Sequence, residues 1–229
     1  MEVKRTEHKY ILSWQEALLL QKNLDTVMPR DVHCMDGEGY EVRALYFDTL
    51  CDRSCAEKED GLLEHEKIRI RIYGLSDSVI KLESKKKWGE MQRKITLPIT
   101  YSVYQALCRG DYGVLLDMKE QDALYFYHKL SSGMMPKSIV QYNRMSFCIP
   151  TNNIRITLDS RIRATESGLD LFAPSLHTHP VLPENLVIAE VKYNHFLLGY
   201  IKDAVSLMNR SENSFSKYFE GRSFYRRFI

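Results

Sequence analysis

Lys67-Ile68-Arg69-Ile70-Arg71-Ile72-Tyr73 alternates without a break between polar or charged residues and isoleucine. A β-strand sends successive side chains to opposite faces, so this stretch reads as a strand with Lys67, Arg69, Arg71 and Tyr73 on one side and Ile68, Ile70 and Ile72 on the other. The branched side chains suit a pleated, half-buried surface. The pattern continues downstream. Residues 79–87 set Lys81, Glu83, Lys85 and Lys87 against Ile80 and Leu82, and residues 90–98 set Glu90, Gln92, Lys94 and Thr96 against Met91, Ile95 and Leu97, with Arg93 out of step. Gly74-Leu75-Ser76-Asp77 and Trp88-Gly89 supply the turns of an antiparallel meander.

Working outward, residues 4–12 alternate like a strand, with Arg5, Glu7 and Lys9 on one face. Ser13-Trp14-Gln15-Glu16 then reads as a helix N-cap with Glu at the third helical position, and a helix runs on to Met28-Pro29. Residues 42–48 are a further strand, 51–61 a short helix or ordered loop, and 100–109 and 119–130 helices. Strand alternation returns in 138–148, where Tyr142 and Arg144 share a face, and in 154–163, where Arg155, Thr157, Asp159, Arg161 and Arg163 oppose Ile154, Ile156 and Leu158. In 186–193, Glu190 and Lys192 oppose Val187, Ala189 and Val191, and 199–209 reads as a last helix. Residues 168–183 hold three of the seven prolines and read as a long loop.

The bulk composition excludes more than it names. The 229 residues carry 32 Lys and Arg against 30 Asp and Glu, so any signal for an anionic partner lies in placement and not in total charge. No stacking platform of exposed aromatics accompanies the basic residues, which argues against nucleic acid. No apolar run approaches the roughly 18 to 20 residues of a membrane helix, and the charged N-terminus does not read as a signal peptide, so no direct membrane insertion and a cytoplasmic location are expected. The five scattered cysteines read as reduced thiols without zinc spacing, and His177-Thr178-His179 as a solvated loop.

Seven strands thus each carry an ionic face in which Arg and Lys predominate. A sheet of so many strands must curl, split or close. Closure with these faces inward predicts an α+β fold, a closed antiparallel β-barrel with flanking helices on its apolar outside, as a single domain over residues 1–229. Crowded, desolvated cations are costly without an anion, and a chain of phosphates would supply one. Arginine forks bind phosphate oxygens bidentately and lysine acts as a point charge, whereas the carboxylates need a divalent cation between themselves and phosphate.

Several segments resemble, in order and spacing, the VTC-type polyphosphate polymerase domain, within the triphosphate tunnel metalloenzymes (CYTH-like superfamily). They are Arg5-Thr6-Glu7-His8-Lys9-Tyr10, Leu45-Tyr46-Phe47-Asp48, Arg69-Ile70-Arg71, Leu82-Glu83-Ser84-Lys85, Tyr142-Asn143-Arg144, the run from Ile154 to Asp159, Ala189-Glu190-Val191-Lys192-Tyr193 and Phe215-Ser216-Lys217-Tyr218. The resemblance implies an eight-stranded tunnel in which ATP and a divalent metal, Mn2+ or Mg2+, lengthen inorganic polyphosphate. Lys9, Arg69, Arg71, Lys85, Arg144, Arg155, Ser216 and Lys217 would contact phosphates, and Glu190 would hold the metal. Arg5, Glu7, Lys67, Lys81, Glu83, Lys94, Tyr142, Arg161 and Lys192 are the expected secondary lining. Ser216 and Lys217 rest on the resemblance alone, and Ser214 stands where a second lysine is expected. ATP and polyphosphate are the expected partners, and any membrane protein working with the domain is expected to be another chain. Two alternatives are a triphosphate or polyphosphate hydrolase of the same fold and a polyphosphate-binding module without catalysis.

Overall fold

The computed structural model describes residues 5–34, 37, 39–89, 91–206 and 211–226. Two compact units share the chain. Unit 1 comprises Met1–Glu41, Gln141–Arg163 and Pro180–Ser216, and unit 2 comprises Val42–Val140, Ala164–His179 and Lys217–Ile229.

In unit 1, β1 (Arg5–Ser13) leads directly into α1 (Trp14–Val27). The capping box read from the sequence is present: Ser13 Oγ accepts from the Glu16 amide at 3.3 Å, while Glu16 Oε2 accepts from the Ser13 amide at 2.8 Å. Such a cap contributes about 1 kcal/mol and fixes where the strand gives way to the helix. β1 lies antiparallel to β9 (Leu186–Asn194), which pairs with β7 (Ile154–Thr165), beside which runs β6 (Met134–Ile149), here through its later residues. The apolar faces of these strands, among them Ile156, Val187, Ala189 and Val191, pack against Leu20 and Leu24 of α1 and Ile201 and Ala204 of α5 (Gly199–Ser206).

In unit 2, β2 (Tyr40–Thr49), β3 (Glu64–Tyr73), β4 (Ser76–Trp88) and β5 (Met91–Ile99) follow one another in an antiparallel meander. Pro98 lies in β5, the last strand of the order β1-β9-β7-β6-β2-β3-β4-β5, a position where a residue without an amide hydrogen is tolerated. Ile68, Ile70, Ile72, Ile80 and Leu82 form the core with Tyr104 and Leu107 of α3 (Tyr101–Cys108) and with Phe126 and Leu130 of α4 (Gln121–Leu130). The apolar side of the alternation therefore lies under helices, as its period required. A short helix, α2 (Arg53–Glu59), bridges β2 and β3.

Three details differ from the sequence reading. The loop at 168–183 contains a two-residue strand, β8 (His179–Pro180), and is pinned by Arg43, which donates to the carbonyls of Leu171 at 3.1 Å and Ala173 at 2.6 Å. A final helix, α6 (Lys217–Arg226), begins at Lys217, where alternation gave no element. Residues 207–209 and Glu90, expected in a helix and a strand, lie outside the described residues. The architecture is α+β, with β1 and β9, β9 and β7, β2 and β3, β3 and β4, and β4 and β5 paired antiparallel.

Candidate functional site

The ionic faces inferred from period two are real rungs. In unit 2, Tyr46, Arg69, Glu83 and Thr96 are successive cross-strand partners, and so are Ala44, Arg71, Lys81 and Pro98. Directly opposed side chains lie within interaction distance, so each rung acts as one line of groups. Glu83, only 2% exposed, draws three cations onto itself. Arg69 Nε donates to Oε2 at 2.9 Å, Arg71 NH2 to Oε1 at 2.6 Å, and Lys94 Nζ lies 2.7 Å from Oε1. Burial pushes the Glu83 carboxyl up, but Arg69, Arg71 and Lys94 outweigh it and hold the pKa down at about 2. Burial also lowers the Lys94 pKa, against the pull of Glu83.

Three charges around one acid leave the cluster cationic. Arg71 is 9% exposed and its Nε is buried without a hydrogen-bond partner, a donor that an anion would satisfy. Lys81 and the Arg71 guanidinium both sit over the Tyr73 ring, at 5.4 and 5.2 Å. Arg69 NH1 donates to the Tyr46 hydroxyl at 3.1 Å, and Tyr46 in turn stacks on Tyr218 at 4.7 Å. Tyr218 donates to Asp48 Oδ2 at 2.7 Å, anchoring α6 next to Lys217. Lys67, Lys85 and Lys94 form the next rung.

Unit 1 is built differently. Lys9 faces Glu190, which faces Thr157; on the neighbouring rung Glu7 faces Lys192, which faces Arg155. The result is a checkerboard: Lys192 Nζ lies 2.6 Å from Glu190 and 3.9 Å from Glu7, and Lys9 Nζ lies 3.4 Å from Glu7 and 3.6 Å from Glu190. Burial lowers the Lys192 pKa while Glu190 and Glu7 oppose it. Lys9 also donates to the Phe215 carbonyl at 3.0 Å, and its own carbonyl accepts from the Asn213 amide at 2.8 Å, which ties the 213–215 segment to β1. The Thr157 hydroxyl is buried without a partner beside Glu190.

Arg144 grips Asp159 through two 2.7 Å hydrogen bonds and covers the buried Tyr142 ring at 5.2 Å. Arg144 is buried; desolvation lowers its pKa, but Asp159 and the other anions overcome this and carry it well above its ordinary value. Gly39 holds the chain against this point: at φ +79° it lies where a Cβ would sit 2.5 Å from the Arg144 carbonyl. Arg155 is engaged by Ser146 Oγ at 3.0 Å, Tyr40 OH at 3.1 Å and, more loosely, Asp31 at 3.5 Å.

The structure thus gathers Arg69, Arg71, Lys81, Glu83 and Lys94 in unit 2, with Lys67 and Lys85 a rung away, and Glu7, Lys9, Glu190 and Lys192 in unit 1. It does not bring Arg161 to them. That residue has φ +50° and is exposed, because a left-handed residue interrupts the alternation of β7 just where the sequence reading extended it. The Arg5 side chain lies outside the described residues; Ser216 is half-buried and Lys217 opens α6. Sequence reasoning missed Tyr46 and Tyr218, whose signal lay in the motifs Leu45-Tyr46-Phe47-Asp48 and Phe215-Ser216-Lys217-Tyr218, and Asp31, which carried no signal at all.

As a metal donor set, the hard carboxylate oxygens of Glu190 and Glu7 fit a cation that takes its remaining ligands from phosphate. Among the described residues no group of three or more His, Cys, Asp or Glu side chains could hold a metal ion. Among the described residues the five cysteines form no disulfide, and no helix is long and apolar enough to cross a membrane.

In each unit, antiparallel strands carry an ionic face and an apolar face packed under helices. Two solved structures are similar to this chain in fold: a candidate adenylate cyclase from Bacillus halodurans, 10% identical with 94% of each chain covered and a TM-score of 0.53, and another from Vibrio parahaemolyticus, 12% identical with 96% of this chain and 98% of that one covered and a TM-score of 0.53. At such identities the likeness concerns the fold alone. The sequence matches the family described as VTC domain over residues 4–225, and the chain belongs to that family. No curated protein sequence matches it. Membership of that family supports a function in triphosphate or polyphosphate chemistry.

Proposed function

We propose that this chain transfers the terminal phosphoryl group of ATP to a growing inorganic polyphosphate chain, and that its ionic strands close into an eight-stranded barrel around that chain. The observation that carries this reading is the Arg69–Arg71–Lys94 cluster about Glu83, with its cationic excess and the unsatisfied Arg71 Nε. Arg69, Arg71, Lys85 and Lys217 bind and align phosphates; Lys9, Arg144, Arg155 and Ser216 are the corresponding groups of unit 1. Arg144 and Arg155 already hold protein partners, so their remaining donors are the ones open to phosphate. Phosphoryl transfer asks the protein mainly for positioning and charge neutralisation, with no nucleophilic side chain.

Glu190, with Glu7 diagonal to it, would hold Mn2+ or Mg2+ together with phosphate oxygens. When bound, the ion would offset charge on the transferring phosphoryl group and on the leaving diphosphate. Lys9 and Lys192 bracket both carboxylates and, by shifting onto phosphate oxygens, would release them for that task.

Transfer to phosphate is favoured over transfer to water because a hydrolase needs a base poised near neutral pH. Glu83 is held near a pKa of about 2. Asp159 is taken bidentately by Arg144, and Glu7 and Glu190 are bracketed by two lysines.

The test is incubation of the purified protein with ATP and Mn2+, with sizing of the product by gel electrophoresis and assay of free orthophosphate. Long polyphosphate is the expected product, and orthophosphate alone would move the assignment to hydrolysis. Glu190→Gln should lower turnover by about 100-fold or more while leaving polyphosphate binding intact. Wild-type turnover of that variant at saturating Mn2+ would overturn the metal assignment.

A further inference from the structure

In unit 1, residues 29–31 are stitched to the end of β6. The Asp31 amide donates to the Ser146 carbonyl at 2.8 Å, the Cys148 amide donates to the Pro29 carbonyl at 3.2 Å, and Arg30 forms a bridge with Phe147 between them. The stitching sets Asp31 beside Cys148 and Arg155, which flank the turn joining β6 to β7. An open recess of about 420 Å3 lies there, with Val32, Ile149, Pro150 and Ile154 as apolar walls and Asp31 and Arg155 among its polar groups. That volume falls in the range of sites for small organic ligands, about 300 to 1,000 Å3.

The charges of the recess are balanced. Arg30 is held by Asp25 through hydrogen bonds of 2.6 and 2.7 Å, and Arg155 lies 3.5 Å from Asp31. Burial keeps the Cys148 thiol above its ordinary pKa, against Ser146 and Arg155, so it adds no negative charge near neutral pH. A phosphate would find no surplus cation here, whereas an uncharged group with an apolar face and hydroxyls would be matched. Asp31 is the acceptor for such hydroxyls. Its Oδ1 accepts from the His33 amide at 3.1 Å, and its Oδ2 accepts from Cys148 Sγ and from Arg155 NH2, each at 3.5 Å. Contacts of that length are weak, and a carboxylate offers about four lone-pair sites, so Asp31 retains acceptor capacity. Arg155 belongs both to the recess and to the ionic face: it is the partner of Lys192, two positions, or about 7 Å, from the Thr157–Glu190 rung.

We propose that this recess receives the nucleoside of the nucleotide whose phosphates lie on the ionic face of unit 1, with Asp31 accepting from the ribose hydroxyls and the apolar walls covering the base. The inference rests on the reading of Arg155 and Glu190 as groups at the phosphate end. Arg155 then marks the junction where phosphate gives way to sugar. A carboxylate aimed at ribose hydroxyls is also how dinucleotide-binding folds hold that sugar. The recess distinguishes a nucleoside triphosphate from a bare phosphate chain, a choice that charge on the ionic face alone does not make.

The experiment compares ATP, 2′,3′-dideoxy-ATP and inorganic tripolyphosphate as ligands of the full chain by isothermal titration calorimetry, without divalent ion so that no turnover occurs. Wild-type protein should bind the dideoxy analogue about 10-fold more weakly than ATP, the loss of a hydrogen bond to a charged acceptor. Asp31→Ala should weaken ATP by about the same factor and leave the analogue where it stands in wild type, the non-additivity of two changes that delete one contact. Tripolyphosphate should bind the variant as tightly as wild type or more tightly, because the carboxylate that competes for Arg155 is gone. Equal affinity of wild-type protein for ATP and its dideoxy analogue would overturn the Asp31 assignment while leaving the phosphate reading intact, and needs no variant to fold. Loss of tripolyphosphate affinity together with ATP in Asp31→Ala would also overturn it, reducing Asp31 to a support for Arg155. If wild-type protein bound neither ATP nor tripolyphosphate, the phosphate reading would fall and the recess with it.

Discussion

The ionic face of unit 2 is an excess of cations and that of unit 1 a near balance. Around Glu83 two arginines and a lysine share one acid. Around Glu190, lysines and carboxylates alternate, and Arg144 is committed to Asp159. On the proposed function, the difference separates two tasks that phosphoryl transfer combines. A grip on phosphate needs surplus positive charge and unsatisfied donors, which Arg71 supplies. Exchange of a divalent ion would need carboxylates whose partners can let go, and Lys192, at 2.6 Å from Glu190 and 3.9 Å from Glu7, is such a partner.

The comparison can be broken most severely at Asp159. Its side chain is fully buried, and Asp159→Ala would strand the Arg144 guanidinium, a loss of about 3 to 5 kcal/mol. Each unit carries one tryptophan, Trp14 in α1 and Trp88 in β4, so urea unfolding followed in single-tryptophan variants reports where the damage falls. The Trp14 signal should move to lower urea first. Equal stability of the variant would show that Arg144 finds another anion.

Acid should sharpen the contrast from the other side. Glu83 has a folded pKa of about 2 against an ordinary 4.5, so its ion pairs add stability that is fully present above the unfolded value and is lost as pH falls through 4.5 toward 2. The contribution is roughly 3 kcal/mol at neutral pH. Unfolding monitored through Trp88 should steepen below pH 4.5, and Glu83→Gln should flatten that limb. A limb of the same slope in both proteins would remove Glu83 from the account.

A smaller effect is expected on ligand. Arg71→Ala deletes a charge-assisted phosphate contact, at about 1.5 to 3 kcal/mol, or roughly 10- to 150-fold in polyphosphate affinity. It should leave metal dependence of turnover unaltered, in contrast to Glu190→Gln. Affinity equal to wild type would shift the grip away from unit 2.

Period-two alternation made the strands other than β8 legible, and the ionic side of most of them, because pleating ties side-chain direction to position in the chain. The Ser13–Glu16 cap was equally local and equally readable. Beyond that, the sequence alone determined which residues share a face and hence which chemistry is available: arginine and lysine for phosphate, glutamate for a metal. Tertiary structure decided which of them are committed. Nothing local to Arg144 announces that Asp159 will take its fork, because the two meet only across strands. No local signal bent the β7 backbone at Arg161 or made Lys217 the start of a helix anchored by Tyr218 to Asp48. The cost of burying a charge is settled by its neighbours in space, and neighbours in space are what folding, not spacing along the chain, supplies.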